Sequence, residues 1–233
     1  MSLAPLVQIL GILGIPRIFR GMCQRKGVQL GWVKKVATLA EFALSKPQAC
    51  YAAYTFGLKH RWTYFLRTLP DFQDLLEPLE NAVSQVLVPA ITEGKCNQLY
   101  RTSLAVPVRL GGLGFGNPCL EASHEYASSV KVTTPLVQQI VSQSHELPED
   151  SLVKSAQQAV TRERSKELED RTERIKEMAP YKTKQALDLA AEKGSSAWLT
   201  ILPLQDLGFN LNKRQFRDAV KLRHLTLSNY TIV

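Results

Sequence analysis

The sequence predicts an all-α protein: an irregular helical bundle, a long charged helix and a small C-terminal helical unit. Two observations support this prediction. Apolar residues recur at three- and four-residue steps along most of the chain, which is the period of an amphipathic helix. Prolines and glycines divide the 233 residues into segments that each fit a helix. The one predicted exception is a short extended piece at Trp198–Leu202.

The first predicted helices are amphipathic. One helix begins near Gly31 and ends at Ser45-Lys46, because the residue before Pro47 resists the α conformation. A second helix begins at Pro47, whose missing N–H costs nothing in a first turn. One side of this second helix carries Tyr51, Tyr54, Thr55, Leu58, Trp62, Phe65 and Leu66.

The middle of the chain predicts shorter helices. After the break at Thr68–Asp71, a helical turn leads to a helix that Pro78 opens and that Pro89 and Gly94 close. A brief helix over Gln98–Val106 precedes a glycine-rich loop. Two helices, Pro118–Val130 and Pro135–Gln143, then complete a bundle over residues 32–144.

A linker at residues 145–150 leads to the charged helix, predicted over residues 151–179 with Ser151 as its N-cap. Glu167 with Arg171 and Asp170 with Arg174 have the spacing of i,i+4 ion pairs. The C-terminal unit covers residues 180–233. Its first helix is predicted to end at Gly194, and Asn212 with Gln215 form a capping box for its last helix.

The composition excludes several classes of protein. The chain has 45% apolar and 21% charged residues, and this composition does not fit a wholly disordered protein, a collagen or a disulfide scaffold. Four cysteines without CxxC spacing predict reduced thiols in an intracellular protein of the cytoplasm or nucleus. The sequence contains no run of about 20 uncharged apolar residues, so it predicts no transmembrane helix.

The stretch before the first helix predicts a poorly ordered basic leader, residues 1–31. Its apolar part, Met1–Pro16, has no basic residues before it and so makes a poor signal peptide. A short membrane-surface anchor is the alternative interpretation of this part.

Positive charge is concentrated at the start of the chain. Residues 1–70 hold ten Lys or Arg and one acid, Glu41, although the whole chain has a net charge of only +8. This asymmetry predicts an anionic partner, with RNA or DNA first and a membrane surface second. A solvated basic face without a ligand is the alternative.

The second helix is the best candidate for binding nucleic acid. Its cations Lys59, Arg61 and Arg67 flank the aromatic side, and Lys34 and Lys35 precede them on the first helix. Cations beside aromatic rings can hold phosphates while the rings stack on bases. The alternative is that the aromatic residues belong to the core and only the cations point outward.

No motif predicts catalysis, a metal or a cofactor. The glycines of Leu110–Pro118 lack dinucleotide-binding spacing and a Walker lysine, so they predict a turn that needs positive φ angles. Acids at three-residue spacing fit a solvated helix face better than a Mg²⁺ site: Asp71, Asp74, Glu77 and Glu80. The histidines are scattered and GxSxG is absent. We expect neither an enzyme nor a small-molecule substrate.

Several stretches resemble the region that follows the catalytic palm in retrotransposon-encoded reverse-transcriptase polyproteins. The resemblance covers about Trp32 to His224. The stretches that carry it are Ser45–Gly57, Trp62–Pro70, Leu76–Glu80, Val106–Gly114 with Asn117-Pro118, Trp198–Pro203 and Gly208–Ala219.

This resemblance implies a helical, thumb-like region of a transposable element that grips a template–primer duplex. The palm aspartates have no counterpart in this sequence, so the implied function is that of a noncatalytic remnant with weak, sequence-nonspecific nucleic-acid binding. Two alternatives remain open. One is a helical protein–protein scaffold that self-associates through Ser151–Met178, and the other is a translated relic without a selected function.

Overall fold

The computed structural model describes residues 28–71, 73–143 and 148–224, and over these residues it confirms the all-α prediction, with helices and no strand. Within these ranges no helix is both long enough and apolar enough to cross a membrane. The predictions for residues 1–27, for residues 144–147 around the linker and for residues 225–233 fall outside the described residues.

The helices largely follow the proline and glycine breaks of the sequence. In chain order they are α1 Val28–Ala43, α2 Pro47–Ala53, α3 His60–Thr68, α4 Glu77–Ala82, α5 Val88–Thr92, α6 Gln98–Ala105, α7 Pro118–Val141, α8 Asp150–Met178, α9 Tyr181–Ala191, α10 Ala197–Thr200 and α11 Lys213–Arg223. The π-helical turns are Tyr54–Leu58 and Val83–Leu87, and the 3₁₀ turns are Gln73–Leu76, Val108–Leu110 and Gln205–Leu207.

These elements form two compact units, and each unit draws on separate stretches of the chain. The first unit includes Trp62–Glu77 and Pro118–Glu167, and the second includes Trp32–Arg61, Pro78–Asn117 and the chain from Leu168 onward. In the first unit, α7 packs against the 3₁₀ turn Gln73–Leu76. The division into residues 32–144, 151–179 and 180–233 stays a prediction.

The core of the second unit forms where α2, α5 and α11 meet. The Tyr51 ring lies between two buried phenylalanines, with ring centroids 5.6 Å from Phe115 and 6.0 Å from Phe216. The Tyr51 hydroxyl donates a hydrogen bond of 2.9 Å to the Leu113 carbonyl, so the polar end of this buried side chain is satisfied.

Two buried arginines join elements that are distant in sequence. Arg217 of α11 pairs with Glu93 and donates to carbonyls near the C-terminal ends of α5 and α1: those of Ala90 at 2.7 Å, Ile91 at 3.3 Å and Ala43 at 3.4 Å. The last carbonyls of a helix lack partners within it, so one guanidinium caps both helices.

The second buried arginine, Arg101 of α6, holds the glycine-rich loop. Its guanidinium binds both carboxylate oxygens of Glu80, at 2.6 and 2.7 Å. It also donates to the carbonyls of Phe115 at 2.6 Å and Gly116 at 3.0 Å. Glu80, one of the acids weighed as a metal ligand, is therefore engaged in holding this loop to α4.

Two prolines lie inside helices that they were predicted to bound. Pro89 does not end its helix, because the preceding π-helical turn Val83–Leu87 accommodates it. The predicted helices Pro118–Val130 and Pro135–Gln143 are one helix, α7, with Pro135 inside. The Thr134 hydroxyl donates to the Val130 carbonyl at 2.7 Å beside the interruption.

The extended piece predicted at Trp198–Leu202 is also wrong, since Ala197–Thr200 is a helical turn. This turn buries Leu199, and the Trp198 indole donates to the Ser195 carbonyl at 3.1 Å. By contrast, the capping box of Asn212 and Gln215 is confirmed, with both of its hydrogen bonds present. Helix α8 begins one residue before the predicted N-cap, at Asp150.

The glycine-rich loop is the predicted turn. Gly111 and Gly114 have φ angles of +99° and +68°, which residues with a side chain rarely adopt. Gly112 is required for a different reason, because a Cβ built on it would overlap the Val106 backbone carbonyl. Positive φ angles at Gly111 and Gly114, and the close approach of Gly112 to the Val106 backbone, thus disfavour larger residues at these three positions.

We expect Gly112→Ala to destabilise the protein by about 3 kcal/mol, because the Val106 backbone must move to make room. Gly57→Ala is the matched control: its Cβ would meet nothing within 4 Å, and its change should stay within about 1 kcal/mol. Urea denaturation followed by circular dichroism measures both. Equal stabilities of the two variants would contradict the close packing of this loop.

Candidate nucleic-acid interface

Lys34 and Lys35 project from the outer face of α1. The opposite face is buried through Trp32, Val36 and Ala40, and this three-to-four-residue spacing directs the two lysines to solvent. Both side chains are exposed. The apolar stripe of α1 therefore explains why two neighbouring positive charges are presented outward.

The two lysines lie at the rim of a groove of about 550 Å³ in the second unit. We call it the basic groove, and its lining residues are Lys34, Lys35, Thr38, Leu39, Phe42, Ala53 and Leu58. One wall is α1, and the other is the end of α2 with the π-helical turn that follows. The Phe42 side chain is 48% exposed. The groove therefore combines an apolar floor with a cationic rim.

The charge around the basic groove is strongly one-sided. Residues 32–61 contain five basic side chains and a single acid, Glu41. Among the described residues, no acid lies within ion-pair distance of Lys34 or Lys35. Arg61, three residues after Leu58, is also exposed. A polyanion would therefore find uncompensated positive charge here.

Lys59 is placed differently from the other candidate residues. It is half-buried, and its Nζ lies 3.4 Å from the carbonyl oxygen of Gly114 in the glycine-rich loop. Its ammonium group is thus directed towards that loop and helps to hold it.

Arg67, the last candidate, belongs to the first unit and is engaged with an acid. Its Nε lies 2.7 Å from Glu125, which also pairs with Arg164. Burial raises the pKa of Glu125, whereas the hydrogen bonds and charges of the two arginines lower it. The lowering outweighs the effect of burial, so the net shift of the pKa is downward. The carboxylate offsets part of the positive charge of Arg67, although that side chain is 54% exposed.

Three aromatic residues of the predicted second helix lie in the core, as the alternative interpretation held, whereas Phe65 is only partly buried. Tyr51, Tyr54 and Trp62 are at most 2% exposed, so their rings cannot stack on bases. Sequence reasoning missed Phe42, which is exposed in the basic groove. The signal was present, because Phe42 falls outside the apolar stripe that runs from Trp32 to Ala43.

The charged helix α8 uses many of its side chains for contacts within the chain. In the first unit, Glu163 pairs with Lys131 at 2.6 Å and Glu167 with His124 at 2.8 Å. In the second unit, Glu169 lies 3.2 Å from Arg109, and Lys176 pairs with Asp188 at 2.8 Å. Glu167 thus approaches His124, a partner other than the Arg171 that spacing suggested.

No group of three or more His, Cys, Asp or Glu side chains in the described part of the chain is arranged to hold a metal ion. Comparison with known proteins found no matching family model, no matching curated protein and no matching solved structure. The resemblance to reverse-transcriptase polyproteins therefore stays a prediction.

The Glu125 cluster predicts a pH dependence of stability. Because the folded-state pKa of Glu125 lies below its ordinary value of 4.5, its ionised form stabilises the protein above that pH. This stabilisation is lost as the pH falls through the lowered pKa. We expect Glu125→Gln to weaken the decline in unfolding free energy as the pH falls below 4.5, measured by urea titration at each pH.

The matched control is Glu163→Gln, which removes the same charge from an exposed pair with Lys131. Exposed pairs contribute little to stability, so this variant should keep the decline of the unmodified protein. An identical pH profile for both variants would show that Glu125 is not held by its two arginines.

Proposed function

We propose that this protein is a noncatalytic remnant of a retroelement reverse transcriptase that binds nucleic acid weakly and without sequence specificity. The observation that carries the proposal is the pair Lys34 and Lys35, exposed side by side on the rim of the basic groove without acidic partners among the described residues. Arg61 extends the positive surface. Lysine ammonium groups bind phosphates as point charges, and the release of counterions drives such binding.

The lining of the basic groove supports binding without sequence specificity. Base edges are recognised mostly by side chains that make two hydrogen bonds to one base, such as Asn and Gln on adenine and Arg on guanine. Apart from the two lysines, Thr38 is the only lining residue with a hydrogen-bonding side chain. Contacts to phosphates fix a strand in place but carry no sequence information.

The reverse-transcriptase part of the proposal rests on the resemblance. Two of the stretches that carry it, Ser45–Gly57 and Val106–Gly114, meet in the second unit through the hydrogen bond from Tyr51 to Leu113. We propose that the role of these stretches is to maintain the fold. The nucleic-acid surface is then carried by the cations around them.

A helical protein–protein scaffold is the second candidate. It is favoured by large apolar side chains that are at least 41% exposed between α10 and α11: Ile201, Leu202, Leu204, Leu207 and Phe209. Self-association through Ser151–Met178 remains part of this candidate. Light scattering coupled to size exclusion tests it, and an oligomer that does not bind RNA or DNA would favour it over the first proposal.

The third alternative, a translated relic without a selected function, would show thermal unfolding without cooperativity.

We expect the triple variant Lys34→Gln, Lys35→Gln and Arg61→Gln to weaken binding to RNA and DNA of any sequence. The slope of log affinity against log salt should become shallower by about 0.7 to 0.9 for each phosphate that the protein no longer neutralises. Fluorescence anisotropy titrations at several salt concentrations measure this slope.

Lys182→Gln with Lys184→Gln is the matched control, since it removes two exposed lysines from α9 of the same unit. This variant should keep the slope of the unmodified protein. If both variants made the slope shallower by the same amount per charge removed, binding would depend on net charge alone. The assignment of the interface to the basic groove would then be wrong.

A further inference from the structure

We infer that the basic groove takes single-stranded nucleic acid in preference to duplex, with the ring of Phe42 stacking on an unpaired base. This inference rests on the proposed function and narrows its ligand to one class. It also departs from the resemblance, which implies a grip on a template–primer duplex.

The position of Phe42 is the first support. Its ring is 48% exposed and lies two helical turns after Lys34 and Lys35 on the same wall of the groove. Seven to eight residues of α-helix span roughly 10 to 12 Å. A strand that placed a base on Phe42 would therefore bring its neighbouring phosphates within reach of the two lysines.

The lining of the groove is the second support. Leu39, Ala53 and Leu58 provide an apolar floor next to the Phe42 ring. The paired bases of a duplex are stacked on both faces and present phosphates and groove edges to a protein, so this floor would contribute nothing to duplex binding. An unpaired base offers a free face, and stacking on an aromatic side chain stabilises such complexes.

The size of the groove agrees with this assignment. Its volume of about 550 Å³ falls within the roughly 300 to 1,000 Å³ of pockets that hold small organic molecules. A single nucleotide base is a ligand of that size. The groove is thus suited to one or a few bases of a strand rather than to the side of a double helix.

The test compares a single strand of mixed sequence with a hairpin duplex of equal phosphate number, by fluorescence anisotropy at one salt concentration. The unmodified protein should bind the single strand more tightly. Phe42→Ala should weaken single-strand binding about tenfold, the usual effect of losing one stacked base. Its duplex binding should be unchanged. Phe42→Tyr keeps an aromatic face and should keep the preference.

Phe209→Ala is the matched control, because Phe209 is 47% exposed in the same unit but does not line the groove. It should leave both affinities unchanged, and circular dichroism verifies that each variant is folded. Two results would overturn the inference and leave the proposed function standing. One is that the unmodified protein binds the duplex as tightly as the single strand, or more tightly. The other is that Phe42→Ala and Phe42→Tyr change the affinity for each ligand by the same amount.

Failure of the proposed function gives a different result: neither ligand binds in a way that depends on Lys34 and Lys35. A third titration, with a labelled polyglutamate peptide, covers an acidic protein partner. If that peptide alone bound, and Phe42→Ala weakened its binding, the groove would be a peptide site and both the inference and the proposed function would be overturned.

Discussion

The fold of the second unit depends on one buried cation, the guanidinium of Arg217. It is held by Glu93 and by carbonyls near the ends of α1 and α5, so α11 fixes where both helices end. Phe42 precedes Ala43, whose carbonyl accepts one of these hydrogen bonds at 3.4 Å. The geometry of the basic groove therefore follows from an interaction with a residue more than 170 positions away.

A second long-range contact fixes the opposite wall of the groove. The Gln48 side chain, in the first turn of α2, donates to the Phe209 carbonyl at 3.2 Å and accepts from the Leu211 backbone at 2.6 Å. Both walls are thus positioned by the segment around α11. This arrangement separates two roles of basic residues: buried arginines such as Arg217 and Arg101 join backbone elements, and exposed lysines such as Lys34 carry free charge. The division matches their chemistry, because a planar guanidinium serves several acceptors at once.

The sequence predicted features that depend on local interactions. The all-α class, the start of α2 at Pro47, the extent of α8 and the capping box at Asn212 all arise within one or two helical turns, and the structure has them. Pro89 and Pro135 were wrongly predicted to be helix boundaries. Pro89 directly follows a π-helical turn and Pro135 lies inside α7, and hydrophobic periodicity shows neither arrangement.

The candidate site was predictable only in part, for a similar reason. Exposure of Lys34 and Lys35 follows from the stripe of α1, whereas the pairing of Arg67 with Glu125 joins residues 58 positions apart. Placing Phe42 in the basic groove required knowing that α2 and the following turn complete the groove beside it. No spacing rule gives that information.

The link between α1 and α11 has a consequence for how the protein forms in the cell. Helix α1 is synthesised before α11, so the guanidinium that bonds the carbonyl of its last residue, Ala43, is present only when residue 217 has been made. Bringing such distant segments together is entropically slow. The end of α1, which forms part of one wall of the basic groove, is therefore completed only after α11 has been synthesised.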